Sequence, residues 1–556
     1  MDPGAGSARP GSALQRIRLA HQALKQSETT DFAPVSAGAP QAGRMTRRRL
    51  LQGAGATAVT LGLGNVWPGR SHAQEDPGPR VVVVGAGIAG LGCAYRLWRR
   101  HGIRAEVYEW SDRPGGRIRT LRGYFDDSQL VEEHAEFINP EHTATLALAR
   151  HLHLGLDNTE RYPAAINADQ ESFWFDGRLR SQAALNRDWR EFGYRLFRAA
   201  AAKASWPTTH SRRSTWAARW DQMSVVDWLD HHLPGGSDGD FGRLCVSAVL
   251  DEFGGAAEDE SALNLIYLLG ADSSTRSGLQ PRSSPELGGG NEKWHIHGGN
   301  DQLTSGILRR LPRGVLHLSH QLVGLRERTD RRVVCSFDSG GRTRDVVADQ
   351  VVLATPFTTL RHVDTRAIPI SALHRRAINE QPMGSNAKFL LQYSSRIWNR
   401  HGQTGNAYSD TIVQGTWDAT DYQPGAAGIL AALPGGTVGR RWGSRYGLRS
   451  YRGTPPDRMV ADYLASFEQL FPGSRARYSG KAFFVWSSGD PHALGAYSYL
   501  AVGQYTAFNG IQGQQEGRLH FAGEQTSLNF QGYIEGALRS GYRCAAETAG
   551  SLERRG

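Results

Sequence analysis

The chain has 556 residues, enough for two or three domains with a large core. Its net charge is +10, but residues 1–73 hold nine Lys and Arg against three Asp and Glu, so six of those charges sit in the leader and about +4 remain elsewhere. No dense Lys/Arg cluster interleaved with aromatics follows, which argues against nucleic acid as a partner, and no later apolar stretch is long enough for a membrane helix.

Residues 1–44 lack hydrophobic periodicity and are rich in Ala, Gly, Ser and Pro. They read as a disordered or non-native extension. Residues 45–73 follow. Thr46-Arg47-Arg48-Arg49-Leu50-Leu51 matches the twin-arginine export pattern, residues 53–67 are mildly apolar, and Ser71-His72-Ala73 resembles a small-residue cleavage site. The expectation is a signal peptide that engages the Tat export machinery, which moves folded proteins, and a periplasmic or secreted location. Cys93, Cys245, Cys335 and Cys544 are scattered without a CxxC and supply neither a metal site nor a disulfide framework.

The mature chain is organised around residues 80–120. Val81 to Val84 suit a buried parallel strand. Gly85-Ala86-Gly87-Ile88-Ala89-Gly90 follows at once, a helical pattern opens at Leu91, and Ala105-Glu106-Val107-Tyr108 reads as a second strand with Glu109 at its end. This spacing is what a dinucleotide fold requires. Gly85 allows the tight turn, Gly87 lets the backbone approach a pyrophosphate, and Gly90 lets the helix pack on the strand. Glu109 can accept hydrogen bonds from a ribose diol.

With Asp112-Arg113-Pro114-Gly115-Gly116-Arg117 directly after it, this unit resembles the FAD-binding half of the flavin amine oxidase family, which includes monoamine, polyamine and L-amino-acid oxidases. The resemblance implies non-covalent FAD, with Gly85, Gly87, Ala89, Gly90, Gly116 and Arg117 on its phosphate side and Glu109 on its ribose. Leu130 to Phe137 resembles the loop beside the flavin ring, adding Glu136 and Phe137, with His134 where the family usually has glycine. Residues 142–156 are helical in pattern. Residues 181–269 read as several helices, with Trp216, Trp220 and Trp228 as core. Residues 272–290 form a Ser/Gly/Pro-rich loop.

Trp294 to Leu303 returns to the family pattern and leads into a helix over 303–311. His295 and His297 have no evident third ligand and are read as structural. Residues 315–325 and 333–337 read as strands, and Val323 is implied to contact the adenine side. Asp349 to Pro356 resembles the strand that returns towards the nucleotide. Met383-Gly384-Ser385-Asn386-Ala387-Lys388-Phe389 resembles the segment carrying the active-site lysine, so Lys388 would hold a water at the flavin. Trp398 falls where the family has a Phe-Trp pair. Leu519 to Thr526 and Gly532 to Ala537 resemble the LxFAGE…GYxxGA signature, adding Gly523, Glu524, Tyr533 and Ile534. Tyr497 and Tyr533 fall where monoamine oxidases sandwich the amine, and Ala496 replaces their flavin-linking cysteine.

The expected architecture is an α/β fold: a Rossmann-like FAD-binding domain built from discontinuous segments 78–156, 291–365 and 486–556, with a substrate domain of helical (157–290) and mixed-sheet (366–485) parts. The expected reaction is FAD-dependent oxidation of a primary or secondary amine to an imine and then an aldehyde, with Lys388, Tyr497 and Tyr533 at the reacting centre. Partners are a small-molecule amine and either O2, giving H2O2, or a redox protein as electron acceptor. The oligomeric state stays open, with a homodimer as one form. An L-amino-acid oxidase is the rival enzyme; no arginine stands in Glu136-Phe137-Ile138-Asn139 to take a carboxylate. A flavin-binding partner protein without turnover is the non-enzyme alternative.

Overall fold

The computed structural model describes residues 78–554 except 160, 162–167, 169 and 271–291. The 1–44 extension, the 45–73 leader and the 272–290 loop therefore lie outside the described residues.

Val81–Val84 is the middle strand of a five-stranded parallel sheet, ordered Leu519–Phe521, Gln350–Leu353, Val81–Val84, Ala105–Tyr108, Leu316–His317. Side chains alternate across a strand. Val82 and Val84 accordingly enter one hydrophobic cluster while Val81 and Val83 enter another. A strand buried on both faces reads as an unbroken apolar run for that reason. The sheet draws on three separated stretches of chain, and helices Ile88–His101 and Ile534–Glu553 pack together on its second face.

A four-stranded sheet, Arg342–Ala348, Val333–Ser339, Gln321–Glu327 and Asp364–Ala367, contributes Leu322, Cys335 and Phe337 to the first cluster. The stretch read as one strand over 315–325 is two. Leu316–His317 ends the parallel sheet, and Gln321–Glu327 belongs to the four-stranded one. Ser319, at φ 56°, turns the chain between them.

An eight-stranded mixed sheet runs Arg452–Gly453, Tyr478–Trp486, Ala387–Tyr393, Gly428–Ala432, Gly415–Asp418, Gln403–Ser409, Gln170–Phe175, Arg178–Arg180. Its last two strands fall in the 157–290 stretch read as helical. Gln170–Phe175 pairs in parallel with Gln403–Ser409, a partner over 200 residues away that no local pattern reveals. Helices do occupy most of 181–270, from Gln182–Asp188 to Ala262–Gly270.

Three further expectations shift. The helix over 142–156 is Thr143–His151, and Leu156–Asn158 instead pairs with Trp294–Ile296. The helix over 303–311 is Gln302–Leu308; Pro312 disfavours helix at Leu311. Trp220 and Trp228 are core, but Trp216 is 41% exposed, with Lys203 Nζ 4.9 Å from its ring centroid.

The glycine turn is steric as well as conformational. Gly85 has φ 101°, and a Cβ on Gly90 would lie 2.0 Å from the Gly85 carbonyl oxygen. Gly90→Ala is therefore expected to yield protein with little or no bound flavin, measured as visible absorbance per chain; a fully loaded alanine variant would refute the close approach.

Candidate active site

A cavity starts at the glycine turn. Gly85, Gly87, Ala89, Glu109, Gly116 and Arg117 all line it, whereas Gly90 lies behind the wall, against Gly85. The backbone N–H of Gly115 donates to Ala86 O at 2.9 Å, which presses the Gly-Gly-Arg loop onto the turn. A Cβ on Gly87 would meet nothing within 4 Å, so the turn opens into free space at the helix N-terminus, as a pyrophosphate needs. Glu109 accepts from Ala86 N–H at 2.7 Å and from Ser111 N–H at 2.9 Å, which fixes an acid at the nucleoside end. Gln321 and Leu322 line this end; Val323 does not. Val323 sits at a register shift between Leu322 and Gly324, and its neighbour takes the inward position. These residues fit the adenosine and pyrophosphate of FAD.

Glu524 is buried where three segments meet. Its carboxylate accepts from Arg117 Nη1 (3.1 Å), Ser498 N–H (3.1 Å), Ser498 Oγ (2.8 Å) and Gly532 N–H (2.9 Å). Arg117 also donates to Ala496 O at 2.6 Å. One acid thus ties the cofactor-side arginine to the residues beside Tyr497 and Tyr533. Gly523 and Ile534 line the cavity with it. None of the four cysteines does; all are buried and free. That leaves Ala496 with no thiol in its place, in keeping with dissociable FAD.

The Gly-Ser-Asn-Ala-Lys motif has a readable division of labour. A Cβ on Gly384 would lie 2.1 Å from Phe253 O, so glycine permits contact with the end of helix Asp240–Phe253. Ser385 N–H donates to Gly254 O at 2.8 Å, and Asn386 Nδ2 donates to Leu250 O at 3.0 Å, satisfying carbonyls at that helix end. Lys388 then points into the cavity wall. It is buried, and its ammonium donates to Glu132 O (2.9 Å), His134 O (3.1 Å) and Glu136 Oε2 (2.8 Å). Trp417 Nε1 holds the other oxygen of Glu136 at 3.0 Å, and Lys388 Nζ lies 5.2 Å from the Trp417 ring centroid. Three acceptors take the three protons of the ammonium.

The two tyrosines converge. Gly532 lies against the Tyr497 ring, next to Tyr533. Tyr497 donates its hydroxyl to Asp251 O at 2.6 Å, and Tyr533 donates to Glu252 Oε1 at 2.8 Å. Consecutive residues of one helix therefore orient both rings. His142 packs edge-on against Tyr533, with centroids 5.2 Å apart.

Glu136, Glu252 and Glu292 line the cavity with Lys388, which is paired to the first. Burial pushes His134 down to about 3 against the pull of Asp490, so its imidazole is neutral. Behind the wall, His295 is buried with Nε2 2.9 Å from Glu132 Oε1 and Nδ1 4.0 Å from Asp157 Oδ2. Burial opposes its charge, but these carboxylates push it up to about 9. His297 meets Asp157 at 2.9 Å. Both histidines thus have carboxylate partners.

The cavity therefore gathers every expected site residue except Gly90 and Val323. Trp398 lies elsewhere, in the core under the mixed sheet. Trp417, Glu252 and Glu292 also line the cavity and have no sequence signal of their own. Trp417 stands in a weakly alternating stretch, and Glu252 near the end of an amphipathic helix, where nothing local marks them.

Comparison with known proteins follows the same lines. The family model for flavin-containing amine oxidoreductases matches residues 88–549. The chain is 25% identical over 489 residues to "Amine oxidase [flavin-containing]" of Danio rerio, covering 84% of this chain and 85% of that one. It is 23% identical over 490 residues to an L-amino acid dehydrogenase of Synechocystis sp., covering 85% and 95%. Among solved structures, a cyclohexylamine oxidase from Brevibacterium oxydans matches with TM-score 0.70 at 21% identity, over 86% of this chain and 100% of that one. A putrescine oxidase bound to putrescine matches with TM-score 0.67 at 18% identity, over 84% and 98%.

Proposed function

Since the chain belongs to the flavin-containing amine oxidoreductase family, we propose that it oxidises a primary or secondary amine held between Tyr497 and Tyr533 to an imine, which water hydrolyses to an aldehyde, with oxygen as final acceptor and hydrogen peroxide as product. The observation that carries this reading is the tyrosine pair, held from one helix end by Asp251 and Glu252. FAD, when bound, supplies the two-electron acceptor for the α-carbon hydride. The protein supplies orientation: two ring faces confine a neutral amine. No side chain need act as base if the amine arrives deprotonated.

The lining supports an amine over an α-amino acid. A carboxylate substrate needs an uncommitted cation. At the tyrosine end, among the described residues, Lys388 is paired with Glu136, and Arg117 with Glu524. The arginine pattern at Thr46 to Leu51 supports export through the twin-arginine route and work in the periplasm.

The test is anaerobic bleaching of the bound flavin by aromatic and aliphatic monoamines, putrescine, spermidine, a cyclic amine and several L-amino acids. Bleaching by amines and not by amino acids is the expected result. Bleaching by amino acids alone would overturn the charge argument, and peroxide formation during aerobic turnover checks the acceptor.

A further inference from the structure

We infer that Glu136 is a positioning residue that neutralises Lys388 and withholds its charge from the cofactor, so that oxygen takes electrons from the reduced flavin more slowly than it would beside an unmasked lysine. The inference rests on the flavin reading above. It is carried by three contacts. All three ammonium protons of Lys388 go to Glu132 O, His134 O and Glu136 Oε2, and the last is an ion pair with both side chains 4% exposed. Glu136 cannot easily swing away, because Trp417 Nε1 holds its other oxygen at 3.0 Å. The Trp417 ring also faces the ammonium, with the centroid 5.2 Å from Nζ.

The chemistry gives this clamp a consequence. Oxygen takes two electrons from the reduced cofactor and two protons, and leaves as hydrogen peroxide. The first electron makes an anion, and an uncompensated cation in a low-dielectric wall would stabilise it. Two cavity cations are matched by carboxylates, and a third, Arg113, donates to Pro114 O and Gly116 O on the Gly-Gly-Arg loop. Lys388 faces Glu136, Arg117 faces Glu524, and His134 is neutral.

The experiment uses the FAD-loaded full chain and no amine, with sulfite as the probe. Sulfite adds to oxidised flavin as an anion, so its affinity reads local charge. Glu136→Gln should bind sulfite about tenfold more tightly than the wild type, the scale of one unmasked charge several ångströms away in a protein interior. Light-reduced Glu136→Gln should be reoxidised by air-saturated buffer about tenfold faster. Adding Lys388→Gln to that variant should reverse both gains. Trp417→Phe, which removes the N–H but keeps a ring, should move both readings the same way by less, and it carries the test if Glu136→Gln does not fold. Unchanged sulfite affinity in these variants would overturn the inference, as would a gain that survives the loss of Lys388. An amine panel that fails to bleach the flavin would instead sink the proposed reaction and leave the clamp standing.

Discussion

Glu524→Ala is expected to lose bound flavin, amine-dependent bleaching and stability together. The carboxylate is 3% exposed and accepts from four donors on three segments. Hydrogen bonds to a charged group contribute about 1.5–3 kcal/mol each, but bonds sharing one acid do not add. Breaking a buried pair with its attendant bonds costs about 3–5 kcal/mol, and that is the expected loss here. Arg117 loses its partner on the cofactor side, while Ser498 and Gly532 lose the anchor that sets Tyr497 and Tyr533. Melting temperature and flavin content, measured on the same preparations, check this. Glu524→Gln keeps the shape but faces an amide at least partly against donors, so it should fall between the two. An alanine variant with wild-type flavin content and an unchanged melting temperature would show that Glu524 is not the joint described.

What the sequence could and could not reveal follows from where each residue's constraint comes from. The Gly85 to Gly90 turn was legible because its requirements are local: a left-handed φ at Gly85, a helix packed on its own strand at Gly90, an acid at the end of the next strand. Lys388, Tyr497 and Glu524 carried no local signal of their own and were reached only through the resemblance of their flanking motifs. Trp417 and Glu252 escaped both routes. Trp417 meets Glu136, and Glu252 meets Tyr533, each across 281 residues of chain. Such pairs are set by tertiary packing, which hydrophobic period does not encode. The same holds for strand Gln170–Phe175, whose partner lies in another part of the chain. Val323 missed for a smaller reason: a one-residue irregularity reverses which side chain faces inward, and the register shift at Leu322 and Gly324 lies just there.

Lys388→Met is expected to act first on stability. Methionine nearly matches the lysine stem, so packing changes little, but it leaves the Glu136 carboxylate buried without its cation. It also removes the donor from the carbonyls of Glu132 and His134. Leaving one partner of a buried pair uncompensated costs about 3–5 kcal/mol. The double variant Lys388→Met with Glu136→Met separates charge from packing. If the lost charge balance is the cause, removing the carboxylate recovers much of the stability, and the unpaired Trp417 N–H and the two carbonyls account for what stays lost. Melting curves of the flavin-free chains measure this without any catalytic readout. Equal destabilisation in the single and double variants would mean that the lysine matters for its carbonyl bonds and not for its charge. The clamp by Glu136 would then be a consequence of the loop's shape and no longer the reason this lysine is held so firmly.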